Sequence, residues 1–255
     1  MTHLKSKLKG VYLVFLSLLI VIIHLPVSFA SNAHFEKVSI PSAITKPSSN
    51  SSVDADKALL LNIFDSLNLD LKGLSEEAFN DAVNGYTILK KRGMLRNANI
   101  LTIADFSKSS AKKRRFVIDL KACKVLYNTY VAHGQNSGDE YAKYFSNENE
   151  SLKSSPGFYI TSDTYTGSKG YSLHLNGQEK GINDNAYERS IVMHAADYVS
   201  EEYINSKGYI GRSWGCPAVP NKTLKPIVEK IKNGTCLFIY TPDKSYQKRS
   251  RLANA

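Results

Sequence analysis

Cysteine is scarce: Cys123, Cys216 and Cys236 are the only three among 255 residues. So few exclude a disulfide scaffold, and an odd number leaves at least one thiol unpaired within the chain. No histidine or cysteine pair has short metal-ligand spacing and no His-Glu-x-x-His occurs, so a zinc site is not expected. Repeats of solenoid period and heptad seams are missing as well, which excludes arrays and coiled coils. Charged residues make up 22% and hydrophobic residues 42%, a globular balance, neither disordered nor fibrous. The length suits one domain with a small extra lobe.

What is present begins with a leader. Lys5, Lys7 and Lys9 precede an apolar run from Val11 to Ile23, and Ser28-Phe29-Ala30 puts small residues at −3 and −1 of a cut after Ala30. Residues 1–30 therefore read as a secretory signal peptide, with an uncleaved anchor as the alternative. No cysteine follows the run, which argues against a lipoprotein. Cleavage removes the three lysines and lowers the formal net charge from +10 to +7. A basic exported protein, of the periplasm or cell envelope, does not meet nucleic acid, and no membrane span remains after cleavage. The runs Lys112 to Arg115 and Lys248 to Arg251 read as solvated surface charge, with attraction to an acidic envelope polymer as the alternative.

Residues 31–53, rich in Ser, Pro and Asn, read as a flexible linker. Apolar spacing predicts helices over 55–69 and 75–92, an N-terminal helical segment spanning 54–95, with Ser75 as N-cap and Gly93 after the second helix. From residue 96 to 242 the texture is that of a catalytic domain. Strands are predicted over 99–106, 115–120, 124–132, 156–161, 171–176, 190–194 and 235–241. Helices are predicted over 196–206 and 224–233, the latter with Thr223 as N-cap, Pro226 in its first turn and Gly234 closing it. Residues 134–155 form a long polar loop, and 243–255 a basic tail. The fold class is mainly β with flanking helices (α+β), a mixed sheet or barrel-like sandwich.

The stretch richest in chemistry is Gly211-Arg212-Ser213-Trp214-Gly215-Cys216-Pro217. Gly215 permits unusual backbone angles, and Pro217 keeps Cys216 out of the helical region. A rigidly held, accessible thiol suits nucleophilic catalysis; a buried apolar thiol is the plain alternative. His194 ends a predicted strand, where the backbone is held and the tip is open, so it is the candidate base, with a structural strand-end histidine as the alternative. The order His then Cys disfavours papain-like enzymes. It leaves sortases and L,D-transpeptidases, and only Arg249 and Arg251 follow the cysteine, which weakens the sortase reading.

The chain resembles the murein L,D-transpeptidase catalytic domain family of the YkuD-type superfamily over about Tyr86 to Tyr240. The resemblance is carried by Asp105-Phe106-Ser107, Val131-Ala132-His133-Gly134, Ser154 to Tyr159, Gly170-Tyr171-Ser172-Leu173, Gly181 to Ala186 and Arg212 to Val219. It implies Cys216 as nucleophile and His194 as general base, with Ser213 and Gly215 at their signature positions. Two departures stand out: Ala195 replaces the glycine after the histidine, and Trp214 replaces the histidine of Ser-His-Gly-Cys. The implied reaction is acyl transfer on peptidoglycan stem peptides through a thioester, making a 3→3 cross-link. Hydrolysis by the same nucleophile (an L,D-carboxypeptidase or endopeptidase) and an inert wall-binding module are the alternatives. No cofactor is implied, and a monomer is expected.

Around this pair, the N–H groups of Gly215 and Cys216 are oxyanion-hole candidates, with Ser213 and Trp214 in support. Arg212 is a candidate for a substrate carboxylate or, equally, a structural ion pair. His174, Tyr171 and His133 are candidate groove residues; a polar strand face is the alternative for His174. Cys236 reads as core and Cys123 as incidental.

Overall fold

In the computed structural model the described residues are 49–255, with side chains described from residue 57. The expected signal peptide and most of the expected linker lie outside them. The elements run α1 (Ser49–Ser66), α2 (Glu76–Lys91), β1 (Ile100–Asp105), β2 (Arg115–Asp119), β3 (Lys124–Thr129), β4 (Gly157–Gly167), β5 (Gly170–Gly177), β6 (Val192–His194), α3 (Glu201–Lys207), α4 (Asn221–Ile231), β7 (Cys236–Tyr240) and α5 (Lys244–Arg249). Two single-turn 3₁₀ helices, Gln135–Ser137 and Asp184–Ala186, lie in the loops.

All seven strands join one curled mixed sheet of order β3-β2-β1-β7-β4-β5-β6. Only β1 and β7 pair in parallel, with Ile103 beside Phe238; every other pair is antiparallel. The period-2 alternation of the strands sorts their side chains onto two cores. Leu101, Ile103, Phe116, Phe158 and Phe238 face α1, α2 and α5, meeting Phe64, Phe79, Val83 and Tyr246. Ala104, Val117, Tyr159, Leu173, Met193, Leu237 and Ile239 face α4, meeting Leu224, Ile227, Val228 and Ile231. Phe158 stacks on Phe238 at 4.2 Å. A Cβ on Gly85 of α2 would lie 2.2 Å from the Phe158 ring, so the helix–sheet approach at that point excludes any side chain.

Several expectations shift for physical reasons. The run Lys112 to Arg115 is not all solvated: Arg114 and Arg115 are fully buried, and burial lowers both guanidinium pKa values to about 9. Helix α4 starts at Asn221 rather than after Thr223, because Pro220 takes the cap position and the Thr223 N–H and hydroxyl both donate to Pro220 O. Pro226 thus sits inside the helix. Helix α3 begins only at Glu201, where the Ser200 hydroxyl accepts the Tyr203 N–H. Ser75 flanks α2 as expected, but its hydroxyl donates to Asp105 Oδ2 instead of capping. Residues 243–255 are no tail: α5 packs through Tyr246, and Leu252 and Ala253 are buried beside it. Among the described residues no helix is long and apolar enough to cross a membrane.

Candidate active site

The site forms where the segment after Trp214 lies along the outer edge of β6. Val192 N–H points at Cys216 Sγ (3.5 Å), Val219 N–H donates to His194 O, and Ala195 and Val219 form a parallel bridge. His194 and Cys216 are therefore carried by two segments running side by side in one direction. Ala195, in place of the superfamily's glycine, takes part in that bridge.

Cys216 is partly exposed, and its Sγ also contacts Ser190 O at 3.6 Å. Ser190 is held at φ 54°, in the left-handed region, which is costly for a residue with a Cβ and turns its carbonyl to the sulfur. Burial pushes the thiol pKa up; the Val192 N–H, Arg189 and Lys169 act the other way. His194 is 5% exposed. Its Nδ1 lies 2.8 Å from Ala195 O. A carbonyl only accepts, so the proton sits on Nδ1 and Nε2 carries the basic lone pair. Burial pulls this imidazole below the ordinary histidine range, partly offset by the Ala195 bond, and Lys169 lowers it further. Burial thus disfavours the charged form of both groups.

The turn before Cys216 is stapled. Gly215 N–H donates to Ser213 Oγ (3.1 Å), and Ser213 Oγ donates to Cys216 O (2.6 Å). Ser154 Oγ accepts from Gly134 N–H and donates to Gly215 O. Gly215 sits at φ 120°, and a Cβ there would lie 2.7 Å from Lys153 O. Of the two expected oxyanion donors, Gly215 N–H is thus already engaged, while Cys216 N–H has no partner among the described residues. Trp214 projects outward, 68% exposed, under the Nζ of Lys169 at 5.3 Å from its ring centroid.

The other candidates separate. His133 does not line a groove. It is 1% exposed, with Arg114 Nη2 donating to Nδ1 at 2.8 Å and its Nε2–H donating to Gly138 O. Burial and Arg114 drive its pKa down to about 3. Its backbone matters more, because His133 O accepts from Ser213 N–H and ties β3's continuation to the loop before Cys216. Arg212 Nη1 pairs with the exposed Asp139 and donates to Gly138 O, the structural ion pair among its two readings. Tyr171 turns to α4, donating to Glu229. His174 lies opposite Val192, and Ser172 opposite His194, which puts both histidines on one sheet face. It is stacked on Tyr165 at 4.4 Å, contacts Asp163, and flanks the exposed Tyr187. Cys236 is buried, and Cys123 is exposed at the β2–β3 turn.

Sequence reasoning missed Arg189, Ser190 and Lys169. Arg189 donates to Ser146 O, Lys153 O, Ser151 Oγ and Ser155 Oγ, holding the long loop against the site. No spacing or motif marks these three, since loop closure alone brings them to the sulfur. Among the described residues no three His, Cys, Asp or Glu side chains converge on a possible metal position.

Residues 70–240 match the family model described as L,D-transpeptidase catalytic domain. No curated protein matches the chain. Similar solved structures include an L,D-transpeptidase from Mycobacterium smegmatis, at 12% identity and TM-score 0.35, covering 56% of this chain and 59% of that one. L,D-transpeptidase 1 from Mycobacterium tuberculosis matches at 10% identity and TM-score 0.32, covering 56% and 62%. An L,D-transpeptidase from Stackebrandtia nassauensis matches at 14% and 0.34, covering 64% and 66%. The chain thus spans less than two thirds of the length of these relatives, and the family rests on the match over residues 70–240.

Proposed function

This chain belongs to the L,D-transpeptidase catalytic domain family, and from that premise we propose that it is an exported cysteine acyltransferase acting on peptidoglycan stem peptides. The observation that carries the reading is that adjacent segments bring His194 and Cys216 to one site, with His194 Nδ1–H tied to Ala195 O so that the free lone pair is on Nε2. As Sγ attacks the carbonyl of the third residue, Nε2 takes the thiol proton. The S–C bond forms while the carbonyl π pair moves to oxygen, and Cys216 N–H, the donor without a partner, receives the oxyanion. Collapse breaks the C–N bond, and the imidazolium protonates the departing amine of the terminal D-Ala. An amine of a second stem peptide then loses its proton to His194, attacks the thioester and releases the thiol.

A thiol held above its ordinary pKa by burial is not a standing thiolate, so the base is needed at the moment of attack. Ser213, Gly215 and Ser154 act as positioning residues for the nucleophile turn. Release of the acyl group by water is the second reading, favoured by the partial exposure of Cys216.

The test is mass analysis of products from purified disaccharide-tetrapeptides. Dimers with loss of D-Ala support the transpeptidase and tripeptide monomers the hydrolase. Unchanged substrate with a folded protein overturns both in favour of a wall-binding module.

A further inference from the structure

Three cationic side chains surround the Cys216 turn, and two already hold anionic or carbonyl partners. Arg189 is engaged by four acceptors of the 146–155 loop, and Arg212 by Asp139 and Gly138 O. The third, Lys169, sits at the exposed tip of the β4–β5 hairpin and makes no ion pair among the described residues. Its ammonium rests instead over the exposed ring of Trp214, two residues before the nucleophile. It lies close enough for its charge to act on both Cys216 and His194.

We propose that Lys169 is a specificity-determining residue that receives the C-terminal carboxylate of the donor stem peptide, and that Trp214 is where its ammonium parks when the site is empty. The inference rests on the stem-peptide reading above. In that substrate the leaving residue ends in a carboxylate one residue beyond the scissile bond, a span of about 3.8 Å between consecutive Cα atoms. A lysine on a flexible four-carbon stem can follow it. An exposed cation–π contact is weaker than a charge-assisted hydrogen bond to a carboxylate, so the ammonium leaves the ring for the anion. When the D-Ala departs, its carboxylate departs with it. The ammonium then returns to Trp214, and the thioester is left without that anion when the acceptor arrives.

The closing experiment measures kcat/KM of the full chain on three peptides: the tetrapeptide acid, its C-terminal amide, and the tetrapeptide amidated only on the side-chain carboxyl of its diamino acid. The wild type should prefer the acid over the C-terminal amide by about 10- to 100-fold, the worth of one charge-assisted contact. In Lys169→Gln that ratio should fall toward one, while Lys169→Arg keeps most of it. Side-chain amidation should leave the Lys169 dependence in place. An unchanged ratio in a Lys169→Gln protein that melts like wild type overturns the inference alone, as does a dependence that follows the diamino-acid carboxyl. A wild type that alkylates at Cys216 yet leaves every tetrapeptide untouched overturns the stem-peptide reading, and this inference with it.

Discussion

Ser213 Oγ accepts the N–H of Gly215 while donating to the carbonyl of Cys216, at 3.1 and 2.6 Å, so one hydroxyl fixes the peptide planes on both sides of the Gly215–Cys216 bond. The plane between them, which carries the Cys216 N–H, is held by Ser154 Oγ donating to Gly215 O. Ser213→Ala leaves the buried Gly215 N–H without a partner, while Cys216 O keeps the Ala218 N–H, at a cost of about 1–3 kcal/mol. The expected result is a fall in kcat larger than the change in KM, read by steady-state kinetics alongside urea unfolding. Equal kinetics in a destabilised protein would limit Ser213 to a stability role.

Cys216→Ala should abolish product formation. Cys123→Ser, at an exposed turn, should leave both activity and stability near wild type. Cys236→Ser should keep the chemistry but lose stability, since it buries a hydroxyl within the sheet core. Mass analysis of products and thermal melts check all three. Turnover by a folded Cys216→Ala protein would sink the cysteine mechanism.

His194→Ala should lower turnover by about 10²–10⁴-fold. Burial holds Cys216 above the ordinary thiol pKa and His194 below the ordinary imidazole pKa. Iodoacetamide alkylation of the free enzyme should therefore rise through the alkaline range without a thiolate plateau at neutral pH. A plateau near pH 6 to 7 would mean a resting thiolate–imidazolium pair instead.

His133 supplies a stability signature. Its pKa in the folded chain is about 3, against an ordinary value near 6.5. Between those values the unfolded chain binds the extra proton and the folded one does not, so stability rises with pH through that window. It falls by at most about 1.4 kcal/mol per unit as pH drops. Urea midpoints from pH 7 to pH 4 should fall more steeply for wild type than for His133→Gln. Parallel slopes would show that His133 is not held neutral.

Gly215→Ala places a Cβ against Lys153 O in a backbone conformation that disfavours side chains. The variant should lose activity and about 1–3 kcal/mol of stability. Full activity would show that the nucleophile turn can relax away from the long loop.

Much of this was readable from the chain. The strands announce themselves as β-branched and aromatic runs, Cys236-Leu-Phe-Ile-Tyr240 above all, and Cys216 is marked by its Gly and Pro neighbours. What was hidden depends on long-range partners. Nothing local says that β1 pairs in parallel with β7 across the whole catalytic domain. Arg114 sits in a run that reads as surface, yet Val131 O, Lys108 O and His133 make burial of its charge tolerable. That same contact removes His133 from the groove. The β4–β5 hairpin runs on to Gly167 and Gly170 through exposed polar residues, so its tip and Lys169 carry no hydrophobic pattern to betray them.

The packing of α5, Leu252 and Ala253 beside α1 and α2 has a consequence for how the chain assembles. Helices α1 and α2 share one core with the much later segment from α5 to Ala253, and β7, the parallel partner of β1, also comes late in the order of synthesis. A chain emerging N-terminus first from a ribosome cannot close this core until the segment through Ala253 is free. Until then its earliest amphipathic helices have no permanent seat, and they are the segments on which a holding chaperone would act.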